Sequence, residues 1–267
     1  LRYIASQLEE GSVTWYWNAT RLVDFAQGII AVGVGSALLP AVSDAVAKRD
    51  GDGFRTAVQA STRLACVLLI PAAAFIAVYP TEVVAVLYRH GAYGWTDVEQ
   101  TAVTLAMLVP FMLALAGIQI IKKPFFALER RDALIGIGVL GVGLTTALGL
   151  WLAPAMGVNG LALALSLSVS AQLAAYAWLL RGIVDGGLGL GRLAAPVSKM
   201  AVASAVGVAL IHPVMAMGTW TDGPSLPNVA VFAGCGLGFA IVYSGAAAIL
   251  GVEEIRTVKN KIRHRFG

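Results

Sequence analysis

The sequence predicts an all-α protein that crosses a membrane about seven times. Three observations carry that reading. Of 267 residues, 58% are hydrophobic and only 13% are charged, where a soluble domain has about 45–50% and about 25%. The apolar residues collect in runs of about 20, the length a helix needs to span the hydrocarbon core. The basic residues fall on alternate connections between those runs.

The runs lie at roughly 13–40, 61–81, 99–121, 133–153, 158–180, 197–218 and 227–250. They are too long and too continuously apolar for the alternating strands of a membrane barrel, which leaves helices as the way to satisfy every backbone group in lipid. No Asp, Glu, Lys or Arg stands between Asp132 and Arg181. The Pro and Gly punctuation from Ala153 to Gly160 predicts a turn that divides this stretch into two spans.

Orientation follows from lysine and arginine. The connections 41–63, 122–131 and 181–199, with the tail from 251, hold sixteen of the 19 basic residues. Only Arg89 lies on the opposite connections 82–98, 154–157 and 219–226. The bias predicts a multi-pass inner-membrane protein with its C-terminus in the cytoplasm. Directly after a span, the basic tail Lys259-Asn260-Lys261-Ile262-Arg263-His264-Arg265 suits anionic lipid rather than nucleic acid. The chain opens on Leu1, and an odd number of spans starting outside predicts further residues upstream.

Cys66 and Cys235 sit in apolar runs without metal or disulfide spacing and read as small apolar residues. No nucleophile–base pair, metal cluster or phosphate loop is legible, so the sequence predicts a transporter rather than an enzyme, with no cofactor and no metal. The glycine run Gly187–Gly191 lacks the strand and helix of a dinucleotide site. Asn18-Ala19-Thr20 matches a glycosylation signal but lies inside a span. His212, followed by Pro213, reads as a packing neighbour at a kink, and Gly136, Gly138, Gly141 and Gly143 as close-packing positions between helices.

The first span carries the most informative residues. Asn18, Arg21, Asp24 and Gly28 share one helical face. Ionisable residues in a span cost about 2.5–3.5 kcal/mol at the centre and face a cavity or a partner. In one reading this stripe lines a watery cavity and the planar fork of Arg21 binds phosphate oxygens. In another, Arg21 pairs with Asp24, or lies near the Trp15-Tyr16-Trp17 belt and snorkels to the headgroups. Gln119 is a second polar residue in an apolar span, suited either to the cavity or to a neighbouring helix. Lys122 and Lys123 are explained by orientation alone, and are also candidates for headgroup contact on the cytoplasmic side.

Several stretches resemble one family. They are Ile4-Ala5-Ser6, Glu10-Gly11-Ser12-Val13-Thr14-Trp15, Ala19-Thr20-Arg21-Leu22, Gly33-Val34-Gly35-Ser36-Ala37-Leu38-Leu39-Pro40, Arg89-His90-Gly91-Ala92-Tyr93, Lys123-Pro124-Phe125-Phe126-Ala127 and Gly157-Val158-Asn159-Gly160-Leu161-Ala162. In order and spacing they are similar to the MurJ/MviN family of lipid II flippases over residues 4–183. That family belongs to the superfamily of MATE-like exporters and polysaccharide flippases. Arg21 and Asp24 match the family pattern, but Thr20 replaces an acidic residue, and Arg131-Asp132-Ala133-Leu134 stands where the pattern has Thr-Pro.

The resemblance implies a two-lobe transporter of which this chain is the C-terminal half. Residues 1–183 would be the second bundle, incomplete at its start, and 184–196 a cytoplasmic loop. Two extra helices over 197–250 would form a lipid-tail groove, and 251–267 the basic tail. The implied partners are lipid II (an undecaprenyl-pyrophosphate-linked precursor), membrane lipids and the missing N-terminal bundle. The implied function is movement of lipid II to the outer face by alternating access, with Arg21, Asp24, Asn18 and Gln119 in the cavity. The alternatives are a related drug/ion antiporter, a polysaccharide-lipid flippase, or a non-transporting membrane scaffold.

Overall fold

The computed structural model describes residues 8–48, 50–127, 129–183 and 191–252, with the side chains of 29–43, 45–47, 127, 183 and 192 outside that description. The described residues form helices and no strand. They are α1 (Ser12–Ala47), α2 (Gly51–Val78), α3 (Pro80–Tyr88), α4 (Trp95–Met107), α5 (Val109–Ala127), α6 (Arg131–Ile183), α7 (Gly191–Met215) and α8 (Leu226–Ile249), with a 3-10 turn at Trp220–Asp222. Five helices are long and apolar enough to cross a membrane: Gly51–Val78, Val109–Phe126, Arg131–Gly182, Leu193–Met215 and Leu226–Ile249. The fold class read from the sequence is the one the chain adopts. The resemblant stretch Ile4–Ser6, the glycines 187–190 and the basic tail from 259 lie outside the described residues.

Two elements differ from a simple succession of spans. A helix of 52 residues rises about 78 Å, far beyond a bilayer of about 30 Å. α6 is therefore long enough for two crossings, and it is divided at Gly157, whose φ of 57° and ψ of −137° leave the helical region. The halves fold back on each other. Tyr176 Oη donates to the Leu134 carbonyl at 3.1 Å, and Thr145 Oγ1 to Ser168 Oγ at 2.7 Å. Gly160 makes the close turn possible, since a Cβ there would stand 2.5 Å from the Leu152 carbonyl oxygen. Of Gly136, Gly138, Gly141 and Gly143, Gly141 alone has a close neighbour, the Gln172 side chain, while the other three have open space beside them. The close-packing role read from the sequence holds for Gly141 and not for the other three.

The run at 99–121 is broken at Leu108, between α4 and α5. Pro110 has no N–H to continue the ladder. The amide of Leu108 donates to both Thr104 and Leu105 carbonyls, at 3.1 and 3.0 Å. The Met107 carbonyl accepts from Ser166 Oγ at 2.6 Å. Nearby, Thr104 Oγ1 donates to Asn159 Oδ1 at 2.9 Å. Each of these bonds satisfies a polar group that lipid could not.

The chain forms two compact units, one of residues 1–65 and 103–190, the other of 66–102 and 191–267. In the first, α1 packs along α5 and touches α6, and α5 packs along α6. In the second, α7 packs on α8, and α3 meets α8 and the 3-10 turn. The core of the second unit is aromatic. Phe75 has Tyr79, Phe232 and Phe239 around it at ring distances of 5.4, 5.8 and 5.4 Å. Tyr79 donates to the Val208 carbonyl at 3.0 Å, and Tyr243 to the Val67 carbonyl at 2.9 Å. Cys66 and Cys235 are free thiols, the second buried.

Candidate functional site

The site is a face of α1. Ser12, Trp15, Ala19, Val23 and Gln27 are buried on one stripe, at the three- and four-residue spacing that packs a helix against its neighbours. The remaining positions point away from that stripe. Arg21, Asp24 and Gly28 are exposed and Asn18 is half-buried. Phe25, 74% exposed, stands among them, so the face mixes charge with an aromatic ring. The structure brings the three polar positions predicted from the sequence, with Gly28, onto one side of the helix.

Arg21 and Asp24 make no ion pair with each other; ion pairs join Lys48 to Asp44 and Arg55 to Asp52, both outside this face. The Arg21 guanidinium instead stands over the Trp17 ring, 5.7 Å from its centroid. That contact orients the group without consuming its hydrogen-bond donors. Thr20 donates to the carbonyls of Tyr16 and Trp17, at 2.9 and 3.0 Å. Its hydroxyl is thus occupied by its own helix and supplies no countercharge. Of the two bland readings, the Arg21–Asp24 pair is absent from this structure.

The other predicted residues lie on α5. Gln119 is exposed, and Lys122 and Lys123 are half-buried. The Lys122 ammonium stands over the Tyr176 ring at 5.8 Å, and that ring meets Phe125 edge-on at 5.6 Å. No hydrogen bond, ion pair or ring contact among the described residues joins Gln119, Lys122 or Lys123 to the polar face of α1. The structure therefore assembles Asn18, Arg21 and Asp24 and leaves the α5 residues as a separate group.

Sequence reasoning passed over Gln27. It is 5% exposed and continues the buried stripe after Val23. Its Nε2 donates to the carbonyl of Met112 on α5, and its Oε1 is buried without a partner. The signal was present, since Gln27 is a polar residue at an apolar stripe position. The charged residues on the adjacent face drew the reading away.

The second unit holds an apolar groove of about 480 Å³. Ala74 and Val78 of α2 and Ala201, Ala205, Val208 and His212 of α7 line it. His212 stacks on Tyr79 with ring centroids 6.1 Å apart, and its Nδ1 lies 3.4 Å from the Tyr79 hydroxyl. This is the packing role expected for a histidine beside Pro213. No cluster of His, Cys, Asp or Glu among the described residues is arranged to hold a metal ion.

Long apolar helices, one turned back on itself at Gly157 and one run broken at Leu108, with an exposed charged face on α1, define a helical membrane protein. The family model described as "Lipid II flippase MurJ" matches residues 2–231, and the chain belongs to that family. A protein of Vibrio cholerae described as "Probable lipid II flippase MurJ" is 28% identical over 255 residues, 94% of this chain and 48% of that protein. The "Lipid II flippase MurJ" of Burkholderia cenocepacia is 28% identical over 258 residues, 94% of this chain and 49% of its own length. A solved structure, "Lipid II flippase MurJ, inward closed conformation", superposes with a TM-score of 0.73 at 17% identity. It covers 92% of this chain and 48% of that one, and confirms the fold. The chain spans about half the length of the curated relatives it matches.

Proposed function

We propose that this chain is the C-terminal half of a flippase that carries lipid II from the inner to the outer face of the bacterial cytoplasmic membrane. The observation that carries the reading is the charged face of α1. Arg21 and Asp24 stand open, unpaired with each other, on the side of the helix opposite its packing stripe. Charges so placed in a span call for water or a polar ligand.

The geometry suits a phosphate. A guanidinium held over Trp17 keeps its N–H donors free for a pyrophosphate, which it can grip bidentately. Asn18 offers neutral donors on the same face for the sugar. Asp24 keeps the face from becoming purely cationic, so the headgroup is held and then released. Gln119 lines the cavity from α5, and Lys122 and Lys123 serve as headgroup contacts on the cytoplasmic side. The upstream bundle supplies the opposite wall, and the two bundles rock about the bound headgroup. No bond is made or broken, so the chain acts as a transporter. Residues 1–183 form the second bundle, 197–250 the two helices that receive the lipid tail, and 251–267 a cytoplasmic tail against anionic lipid. The groove beside α7 is apolar enough for a polyprenyl chain. Moving a charge across the membrane potential is worth about 2.3 kcal/mol per 100 mV, enough to bias the cycle.

The test uses the complete protein in bacteria depleted of their own flippase, with a probe confined to the outer face that reports exposed lipid II. The parent is expected to restore exposure, and Arg21→Ala at equal expression to abolish it. A parent that restores nothing refutes the reading, and an active Arg21→Ala variant refutes the role of Arg21. A reporter fused after Gly267 checks the orientation, since activity outside the cytoplasm would contradict the basic-residue asymmetry.

A further inference from the structure

We propose that Gln27 is a positioning residue for the charged face of α1. It acts as a polar pin that fixes the rotation of the helix about its own axis and so aims Arg21 and Asp24. The inference rests on the proposed function, because it concerns the same face.

The argument begins with what Gln27 replaces. Its stripe runs Trp15, Ala19, Val23, Gln27, all buried. The next member of such a stripe needs only to be apolar and of suitable size. An amide there must leave water, and only one of its two polar atoms finds a partner. Nε2 donates across to the Met112 carbonyl, while Oε1 remains buried and unbonded. An orphaned acceptor at membrane depth is a liability that leucine would not carry. As a stabilising device Gln27 is therefore a poor choice. Positions that break a local rule without a gain in stability are where a functional constraint is expected.

The bond supplies something apolar packing does not. Contacts among Trp15, Ala19 and Val23 are non-directional and tolerate a helix that rolls. A hydrogen bond is directional and fails when the donor swings away. The pin is three residues from Asp24 and six from Arg21, close to them along the same helix. Met112 lies one turn past the break at Leu108, and its amide donates to the Leu108 carbonyl at 3.0 Å. The segment that receives the pin is thus anchored at the discontinuity of α4 and α5. A roll of one residue's rotation, about 100° on a helix of 3.6 residues per turn, would carry Arg21 off the open side.

The experiment sets Gln27→Leu against the parent in the complete protein, with three readouts. Outer-face exposure of lipid II is expected to fall by between about tenfold and a hundredfold, the scale on which misplacing a binding group acts. The thermal midpoint in detergent is expected to stay level or rise, because the orphaned acceptor is gone. Rotation is read in membranes with Cys66 and Cys235 replaced by alanine. A Gly28→Cys thiol, which has open space around it, and a Val23→Cys thiol, 1% exposed in the parent, are treated with an impermeant maleimide. With the pin present, Gly28→Cys reacts and Val23→Cys is protected. With Gln27→Leu the contrast between the two shrinks several-fold. Unchanged exposure of lipid II with Gln27→Leu overturns the pin. So does a loss of transport that merely tracks a lower thermal midpoint, or an unchanged labelling contrast. The parallel Arg21→Ala control separates the two claims. If Arg21→Ala remains active, it is the flippase reading of the face that falls.

Discussion

The polar residues around the start of α8 and those on the open face of α1 do opposite things. Around α8 they close on the backbone. Asn228, 1% exposed, donates from Nδ2 to the carbonyls of Thr219 and Gly223 at 2.7 and 2.8 Å and accepts from the Thr219 amide at 3.0 Å. Ser225 caps α8 through the Asn228 amide. Tyr79, between α2 and α3, reaches the backbone of α7, and Tyr243 of α8 reaches that of α2, in the same manner. In the first unit, α1 holds Arg21 and Asp24 open and leaves Gln27 Oε1 unbonded. A polar group whose bonds are complete is there to hold the fold. One whose bonds are incomplete is waiting for something that lies outside the unit. The difference separates structural from functional polarity within one membrane protein.

Asn228→Ala breaks the first side of that comparison hardest. It strands one amide and two carbonyls around a buried turn, so stability should fall by about 2–4 kcal/mol. Asp24→Ala removes an exposed carboxylate with no bonded partner among the described residues, and should move stability by no more than about 0.5 kcal/mol. Thermal midpoints of the two variants in one detergent compare them directly. Equal losses would dissolve the distinction.

Glycines sharpen it next. A Cβ at Gly160 would meet the Leu152 backbone at 2.5 Å, so Gly160→Ala must open the α6 hairpin and should cost about 2–3 kcal/mol. Gly143 has nothing within 4 Å, and Gly143→Ala should be neutral or stabilising by up to about 1 kcal/mol through helix propensity. Tyr176→Phe is milder, removing only the hydroxyl that reaches across the hairpin to Leu134, for about 1 kcal/mol. The Lys122 ammonium would keep its ring. Reduced stability of Gly143→Ala comparable to that of Gly160→Ala would mean the hairpin contacts are misassigned.

The sequence was most legible where physics is local. Apolar run length predicts the crossings, and Pro154 with Gly157 marks the turn in α6. The periodicity of α1 predicts that Asn18, Arg21, Asp24 and Gly28 share a face. Three features depended on partners far along the chain. The break at Leu108 is completed by Ser166, 58 positions away along the sequence. Gln27 is recognisable as a pin only once Met112 is opposite it. Gly136, Gly138, Gly141 and Gly143 look alike in sequence, yet of these four only Gly141 meets a side chain. The grouping of 66–102 with 191–267 likewise comes from side chains that reach across, such as Tyr243 to Val67 and Tyr79 to Val208. Pattern predicts which face a residue takes. Whether that face is satisfied depends on its partner.

The smallest effect tests the same rule with a titration. Glu82, in the first turn of α3, is half-buried, and burial pushes its carboxyl above the usual value of 4.5. Its own backbone hydrogen bond and the nearby His212 pull the other way, and Tyr79 also faces it. A carboxyl raised on folding favours the protonated fold. Its contribution to stability is full below the unfolded value and is lost as pH rises through the higher folded one. Glu82→Gln cannot lose a proton and should be indifferent to that change. Its thermal midpoint should exceed that of the parent at neutral pH, and the gap should close below about pH 4. A gap that is constant across the range would mean that the Glu82 charge is as well satisfied in the fold as in water. Glu82 would then belong with Asn228, among the polar groups the second unit has already closed.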